Sequence, residues 1–265
     1  KAIESWYNGF WSLLEFGMQI VLIVITGFAI ALSPVVKKGI DKLNKYITNP
    51  RQVYYFVALT GVVLGFISFG WVVITCVLAR ELALRVKGVN YPFLIACVYF
   101  ASGSWVTGLS SSIPLLLGTK SNYLMKAGIL PETIPTTVTL GSSLNMVMIF
   151  VFLVFAPLLI LFLIPKGNSI KELNNMLENT NGKKELSIKE EALSFNLMTP
   201  SFSDRLNNGF LLQGVIVLMG FTYIIYHFYT NGFELNFNIM IFIFLIIGML
   251  LHKTPMRYVI AMKRS

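Results

Sequence analysis

Charge is scarce in this chain and almost absent from its apolar stretches. Lys, Arg, Asp and Glu make up 12% of the 265 residues, whereas about 25% is usual in a soluble domain. Among the 21 basic and 12 acidic residues, only Glu15 lies inside a long apolar stretch. An ordinary soluble domain is therefore excluded, because its helices carry charged residues on the face towards water.

Cysteine and histidine are also rare, with two residues of each. Cys76 and Cys97 form no CxxC pair, which argues against a redox or metal site. His227 and His252 lie at the ends of apolar stretches, so we expect them at a membrane interface rather than in a proton relay. The chain also lacks a GxSxG elbow, a Walker loop and an HxxxH pair. The sequence predicts a protein that is not an enzyme, with no metal or cofactor except a coupling ion, Na⁺ or H⁺.

Long apolar stretches dominate what is present, and the mean hydropathy is +0.72. A spanning helix needs about 20 apolar residues, and 13–32, 138–164 and 210–229 meet this length, with 236–251 slightly shorter. Two further stretches, 53–79 and 92–118, are apolar but interrupted by Gly, Ser and Pro. The sequence predicts an all-α polytopic membrane protein, with residues 1–265 forming one membrane domain in a lipid bilayer.

Basic residues are confined to the segments between these stretches. A net charge of +9 often indicates a nucleic-acid partner, but Lys and Arg in cytoplasmic loops orient membrane proteins instead, so no nucleic-acid partner is predicted. Residues 33–50 combine an apolar stripe with a basic face, which predicts an amphipathic helix at the membrane surface. Residues 165–209 are predicted to form a cytoplasmic loop.

The distribution of Lys and Arg also bears on whether 53–79 crosses the membrane. This stretch is either one tilted helix or two short helices that meet at the glycine-rich turn 65–70. A hairpin places 18 of the 21 basic residues on one side; a re-entrant 92–118 places 15 there, and two crossing stretches at most 14. Because cytoplasmic loops hold the excess of basic residues, we favour a hairpin at 53–79 and keep 92–118 as the alternative. At least one re-entrant or broken helix is therefore predicted.

A run rich in serine, at 102–112, is the predicted substrate-binding segment. The apolar stretches contain no Lys or Arg, so an anion would be held by backbone N–H groups, helix N-termini and hydroxyls. Half-helices on either side of an unwound segment supply such groups, and Phe100 and Trp105 nearby would suit a short alkyl tail. The alternative is that the small residues only allow close helix packing. The primary candidates are Ser102, Ser104, Thr107, Gly108, Ser110, Ser111 and Ser112, and the secondary candidates are Gln19, Ser68, Gly70, Ser142, Ser143 and Asn145.

Four blocks of sequence carry a family resemblance: 8–26, 91–97, 110–116 and 250–255. They resemble the bacterial short-chain fatty acid transporter family, within a wider group of ion-coupled organic-anion transporters. The resemblance implies a multi-pass carrier in the bacterial inner membrane, acting as a symporter of short-chain carboxylates such as acetoacetate or butyrate. It also implies relatives built of two inverted repeats with re-entrant hairpins. Family members are longer, so we expect this chain to be one half of such a carrier, with the second half as its partner.

The function predicted from these observations is a secondary transporter that works by alternating access. Two alternatives stay open. One is a carrier of dicarboxylates or other organic anions from the same superfamily, and the other is a membrane or channel subunit that does not transport. The sequence also leaves the oligomeric state open, with a homo-oligomer among the options.

Overall fold

The computed structural model describes residues 1–43, 46–120, 122–165, 170–177, 188–194 and 201–265, and every regular element in these ranges is helical. Short 3-10 helices occur at Phe69–Trp71 and Gly103–Thr107. The α-helices are α1 (Ala2–Ser12), α2 (Leu14–Ala31), α3 (Pro34–Leu43), α4 (Pro50–Ile67), α5 (Val72–Arg85), α6 (Tyr91–Ser102), α7 (Ser112–Gly118), α8 (Tyr123–Lys126), α9 (Thr136–Thr139), α10 (Ser143–Phe162), α11 (Leu173–Leu177), α12 (Ile188–Ser194), α13 (Phe202–Asn208), α14 (Leu211–Asn231), α15 (Phe237–His252) and α16 (Pro255–Arg264).

Five segments are long and apolar enough to cross a membrane, which agrees with a polytopic helical protein. They are Ala2–Ala31, Pro50–Ile67, Tyr91–Lys126, Ser143–Phe162 and Leu211–Asn231. Helix α15 is equally apolar but has only 16 residues, close to the lower limit for a span. Helix α3 lies within the predicted amphipathic segment 33–50 and buries Ile40. Its position at a membrane surface stays a prediction.

The segment 53–79 folds as a helical hairpin. Asn49 and Gln52 form a capping box that starts α4, and α4 ends at Ile67 because Ser68 adopts an extended conformation (φ −157°, ψ 135°). The chain then reverses into α5, and the two helices pack so closely that a Cβ on Gly61 would lie 3.2 Å from Thr75 Cγ2. At the open end, the Asn90 N–H donates to the Tyr54 hydroxyl at 2.8 Å. The break predicted in this segment is therefore present, and both ends of the segment lie on one side.

The segment 92–118 is also broken, but it does not turn back. Helix α6 starts beside the open end of the hairpin, gives way to a 3-10 turn after Ser102, and becomes extended at Gly108. Helix α7 then continues to the opposite side, where the Thr119 hydroxyl accepts a hydrogen bond from Phe237 N at 3.3 Å. Of the two segments left open by the sequence, the structure folds 53–79 as a hairpin and 92–118 as a broken segment that does not reverse. Which of them crosses the membrane stays a prediction.

The basic loops meet on the side of the hairpin's open end. Arg85 lies 3.9 Å from Asp41, Glu172 accepts from Gly88 N at 2.6 Å, and Arg264 pairs with Glu191. On the other side, Lys126 pairs with Glu15 at 3.0 Å. This arrangement agrees with the unequal distribution of basic residues. Within the predicted loop 165–209, residues 166–169, 178–187 and 195–200 lie outside the described residues.

Two hydrophobic cores share the bundle. One contains α4, α5, α6 and α10, and the other contains α2, α7 and α15. Helices α2 and α15 run parallel, because Gln19 Nε2 donates to Asn238 Oδ1 at 3.0 Å near their starts and His252 Nε2 lies 2.8 Å from the Ala29 carbonyl near their ends. The hairpin tip reaches α2 through two glycines: a Cβ on Gly70 would lie 3.0 Å from Gly27 Cα.

Candidate functional site

The two helix breaks meet inside the bundle. We call residues 66–71, which are the end of α4 and the turn that follows it, the first break, and residues 103–111 the second break. The Leu109 N–H donates to the Phe66 carbonyl at 2.8 Å, and the Ser104 hydroxyl donates to the Val62 carbonyl at 2.9 Å. Gly108 lies so close to α4 that a Cβ there would be 2.1 Å from the Phe66 carbonyl oxygen. Only glycine allows this approach, so the composition of the second break follows in part from packing against α4.

The primary candidates divide into two groups, and the first stabilises the break itself. Ser102, Ser104 and Thr107 are at most 7% exposed. The Ser102 hydroxyl donates to the Tyr99 carbonyl at 2.7 Å, and the Thr107 hydroxyl donates to the Ser104 carbonyl at 2.7 Å. A hydroxyl has one proton to donate. In this conformation these three side chains therefore satisfy backbone carbonyls and have no proton left for a carboxylate.

The second group, Ser110 to Ser112, lies at the start of α7. Ser110 and Ser111 are each 4% exposed. Ser111 occupies the N-cap position, yet its hydroxyl makes no hydrogen bond to the first turn of the helix. The N–H groups of Ser112 and Ile113 in that first turn have no intrahelical acceptor. Donors that suit an anion are therefore concentrated at the end of the second break rather than along all of 102–112.

Most of the secondary candidates adjoin the breaks. Asn145 Nδ2 donates to the Thr107 carbonyl at 3.0 Å and to the Leu140 carbonyl at 2.8 Å. Ser142 caps α10 by accepting from Asn145 N at 3.2 Å. The buried Ser68 hydroxyl accepts from Gly70 N at 3.2 Å at the hairpin tip. These contacts tie the start of α10 to the second break and shape the tip of the first.

Two secondary candidates are placed elsewhere. Gln19 pairs with Asn238 between α2 and α15, so it connects two parallel helices. Ser143 is exposed at the start of α10. Both polar side chains therefore have another explanation: Gln19 joins two helices, and Ser143 lies on the surface.

An apolar cavity of about 270 Å³ lies beside the breaks. Ser104 and Thr107 provide its only hydroxyl-bearing side chains. The lining residues are Val62, Val63, Phe66, Ile67, Ser104, Thr107, Ile149, Phe152 and Leu153. Phe100, expected to contact an alkyl tail, is 45% exposed and is not among them. The α10 residues were missed in the sequence, although their spacing of three and four places them on one helix face.

Two other features fit a substrate site less well. A wider cavity of about 500 Å³ lies between Arg51 and Phe162, at the far ends of α4 and α10 and away from both breaks. Within the described part of the chain, no group of three or more His, Cys, Asp or Glu residues could hold a metal ion. The meeting point of the breaks is therefore the strongest candidate site.

Comparison with known proteins identifies relatives over the whole chain. The family model described as "Short chain fatty acid transporter" matches residues 1–265. A Haemophilus influenzae protein, provisionally named a short-chain fatty acid transporter, is 33% identical over 261 residues, covering 97% of this chain and 57% of that protein. An Escherichia coli protein with the same name is 34% identical over 270 residues, covering 100% and 58%. The chain thus spans under three fifths of these relatives. No solved structure matches.

Proposed function

The chain belongs to the short-chain fatty acid transporter family, and we propose that it forms part of a secondary carrier for short-chain monocarboxylates such as butyrate or acetoacetate. The family consists of transporters and not of enzymes, and the chain is a multi-pass membrane protein. We place the carrier in the bacterial inner membrane, with symport by alternating access. The main observation in favour of a carrier is that the two breaks meet beside an apolar cavity.

Breaks in membrane helices often mark the substrate sites of carriers. Irregular backbone is tolerated there only where protein covers it or where it lines a cavity, and carriers place their substrate sites at such interruptions. Here the hydrogen bond from the Leu109 N–H to the Phe66 carbonyl pairs part of the irregular backbone. The N–H groups of Ser112 and Ile113 at the start of α7 have no intrahelical acceptor, and this is the end of a helix that favours negative charge.

In this proposal the carboxylate and the alkyl tail of the substrate bind in two neighbouring regions. The carboxylate binds the hydroxyls of Ser110, Ser111 and Ser112 and the N–H groups that open α7, since the apolar spans contain no basic side chain. The alkyl tail enters the cavity lined by Phe66, Phe152 and their neighbours. Ser102, Ser104, Thr107 and Gly108 hold the second break in shape, and Ser68, Gly70, Ser142 and Asn145 support it. A cavity of this volume favours a short tail.

Uptake of labelled butyrate by the full-length protein in liposomes tests this function. Wild-type uptake should saturate with concentration. The double variant Ser110→Ala, Ser111→Ala should lose about tenfold or more, because each lost hydrogen bond to a charged group costs about 1.5–3 kcal/mol. Ser203→Ala, in exposed α13, is the matched control. Uptake that never saturates would indicate a channel, and the absence of uptake would indicate a structural subunit.

A second variant tests the position of the tail. Phe152→Trp fills part of the cavity, so uptake of butyrate should fall more than uptake of acetate. The size of the discrimination for one methylene is about 10-fold to 200-fold in apolar pockets. Equal loss for both substrates would contradict a tail site at this cavity.

A further inference from the structure

Four buried polar atoms lie around the end of α15. His252 Nδ1, Gln213 Oε1, Thr254 Oγ1 and the Tyr258 hydroxyl are buried and have no hydrogen-bond partner among the described residues. His252 is 1% exposed, Gln213 0% and Thr254 8%. Buried polar groups are nearly always paired, so four unpaired atoms in one region require an explanation. We call these four side chains the polar pocket.

Contacts around one turn of α15 bring the pocket together. The His252 and Tyr258 ring centroids are 6.0 Å apart. A Cβ on Gly248 would lie 3.5 Å from the Tyr258 hydroxyl oxygen, and Gln213 Nε2 donates to the Met249 carbonyl. Helices α14, α15 and α16 therefore each contribute a side chain.

The hydrogen bonds already present fix the chemistry of the pocket. His252 Nε2 lies 2.8 Å from the Ala29 carbonyl, and a carbonyl only accepts, so Nε2 carries the hydrogen. In a neutral imidazole, Nδ1 then has a free lone pair. Gln213 uses its amide group on Met249, which leaves Oε1 as an acceptor. The pocket thus contains two acceptors and two hydroxyls that can also accept, which is a set suited to one added proton.

The backbone at this turn gives an independent indication. Lys253 has φ +68° and is the one non-glycine residue with a positive φ in the described part of the chain. Such a conformation costs about 1–2 kcal/mol, and strained residues cluster at functional sites. Here the turn places His252 and Thr254 together inside the protein, and the Thr254 N–H donates to the His252 carbonyl at 2.9 Å.

We propose that the polar pocket is a proton-binding site centred on His252, and that its proton is the ion coupled to carboxylate transport. The coupling of this proton to carboxylate transport rests on the proposed function. Hydronium gives a proton to the Nδ1 lone pair and leaves as water, and the imidazole gains one positive charge. The new N–H needs an acceptor, and the buried unpaired oxygens of Thr254, Tyr258 and Gln213 are the candidates. A proton carried with one carboxylate leaves the transport step without net charge.

Nearby charges favour release as well as binding. Burial opposes the protonated form of His252 most strongly, the hydrogen bond to Ala29 favours it, and the charge of Arg257 on α16 opposes it. Helix α3 also contacts α15 and carries Lys37, Lys38, Asp41 and Lys42. Glu15 of α2 and His227 of α14 lie at the opposite ends of those helices. Helices α12 and α13 contact α16 and carry both signs of charge, at Lys189, Glu190, Glu191, Asp204 and Arg205. A site that bound its proton permanently could not exchange it, so the burial of His252 suits a coupling site.

Deuterium exchange at the imidazole C2 atom, measured by mass spectrometry on the full-length protein, tests proton binding directly. The exchange rate of each histidine follows its own titration. Because burial and then the Arg257 charge disfavour the protonated imidazole, the rate at His252 should show its transition below the pH of about 6.5 that is usual for histidine, with His227 as internal comparison. A rate at His252 that stays flat from about pH 4 to about pH 8 would overturn the proton site. Thr254→Val with Tyr258→Phe removes acceptors for the new N–H, so the transition should move to lower pH.

Uptake by proteoliposomes tests the coupling. An inward proton gradient should raise wild-type butyrate uptake by about fivefold or more. His252→Gln keeps a donor for Ala29 but does not titrate, so it should retain butyrate counterflow and lose the response to the gradient. His227→Gln is the matched control. A His252→Gln protein that responds like wild type overturns the coupling. If wild type takes up no carboxylate, the proposed function fails, and C2 exchange still decides the proton site.

Discussion

Replacing Gly108 by Ala isolates the contact that holds the two breaks together. Gly108 has φ −100° and ψ 179°, which alanine adopts without strain, so any effect is steric. The added Cβ would lie 2.1 Å from the Phe66 carbonyl oxygen. Phe66 and Gly108 must then separate by about 1 Å to reach ordinary contact. That movement would break the 2.8 Å hydrogen bond from Leu109 N to Phe66 O.

The magnitude follows from two terms. Overpacking of a filled interior costs about 1–3 kcal/mol, and a buried backbone group left unpaired costs about 1–3 kcal/mol. We expect Gly108→Ala to lower the free energy of unfolding by about 2–6 kcal/mol. The assay is thermal unfolding of the full-length protein in detergent, followed by tryptophan fluorescence, together with butyrate uptake in liposomes.

The control is Gly17→Ala, since nothing lies within 4 Å of a Cβ built on Gly17 in α2. This change should be neutral or should stabilise by up to about 1 kcal/mol, because alanine favours a helix over glycine. If Gly108→Ala melts together with Gly17→Ala, the two breaks are not in contact, and a shared site is refuted.

Three further predictions concern the topology, α10 and α13. Single cysteines replacing Lys38 and Lys87 should be labelled from the same membrane face, and one replacing Lys126 from the other; labelling of 38 and 87 from opposite faces would contradict the hairpin. Asn145→Leu removes the bonds to Thr107 and Leu140 and should cost about 1–3 kcal/mol, whereas Asn174→Leu, with one exposed 3.4 Å bond, should cost much less. The Ser201 N–H and hydroxyl hold the pKa of Asp204 below its usual value, so this carboxylate stabilises α13 above about pH 3.9 and loses that effect as pH falls through its lower folded pKa. Amide exchange in α13 should therefore be faster in Asp204→Asn than in wild type at neutral pH, and equal in both at low pH.

The sequence contained enough information to locate both breaks. The observed reversal at Ser68 lies within the predicted turn 65–70, and the observed second break lies within the predicted run 102–112. Glycine, serine and proline mark these positions because they interrupt helices locally. The distribution of basic residues then favoured the correct hairpin, since charge restricts which segments can cross a membrane.

The contact between the breaks could not be predicted in the same way. The bond from Leu109 to Phe66 joins two helices, and helical periodicity does not say which apolar faces meet. Composition also does not show which acceptor each hydroxyl bonds to. Ser102 and Thr107 bond to carbonyls three residues earlier, an option open to any serine or threonine in a helix. Burial of His252 was missed for a related reason, because α2 and α16 cover it only in three dimensions.

Gly27 and Gly70 have a mechanical consequence at the boundary between the two cores. Helices usually resist sliding because side chains of one fill grooves of the other. At Gly27 and Gly70 the two backbones approach directly, with the Ser68 hydroxyl beside Gly27, so these two positions present no large side chain to a movement of the hairpin tip along α2. Trp71, which stacks on Phe244, is the side chain that would have to shift with the tip. The glycine pair thus marks the plane along which one core would shear past the other.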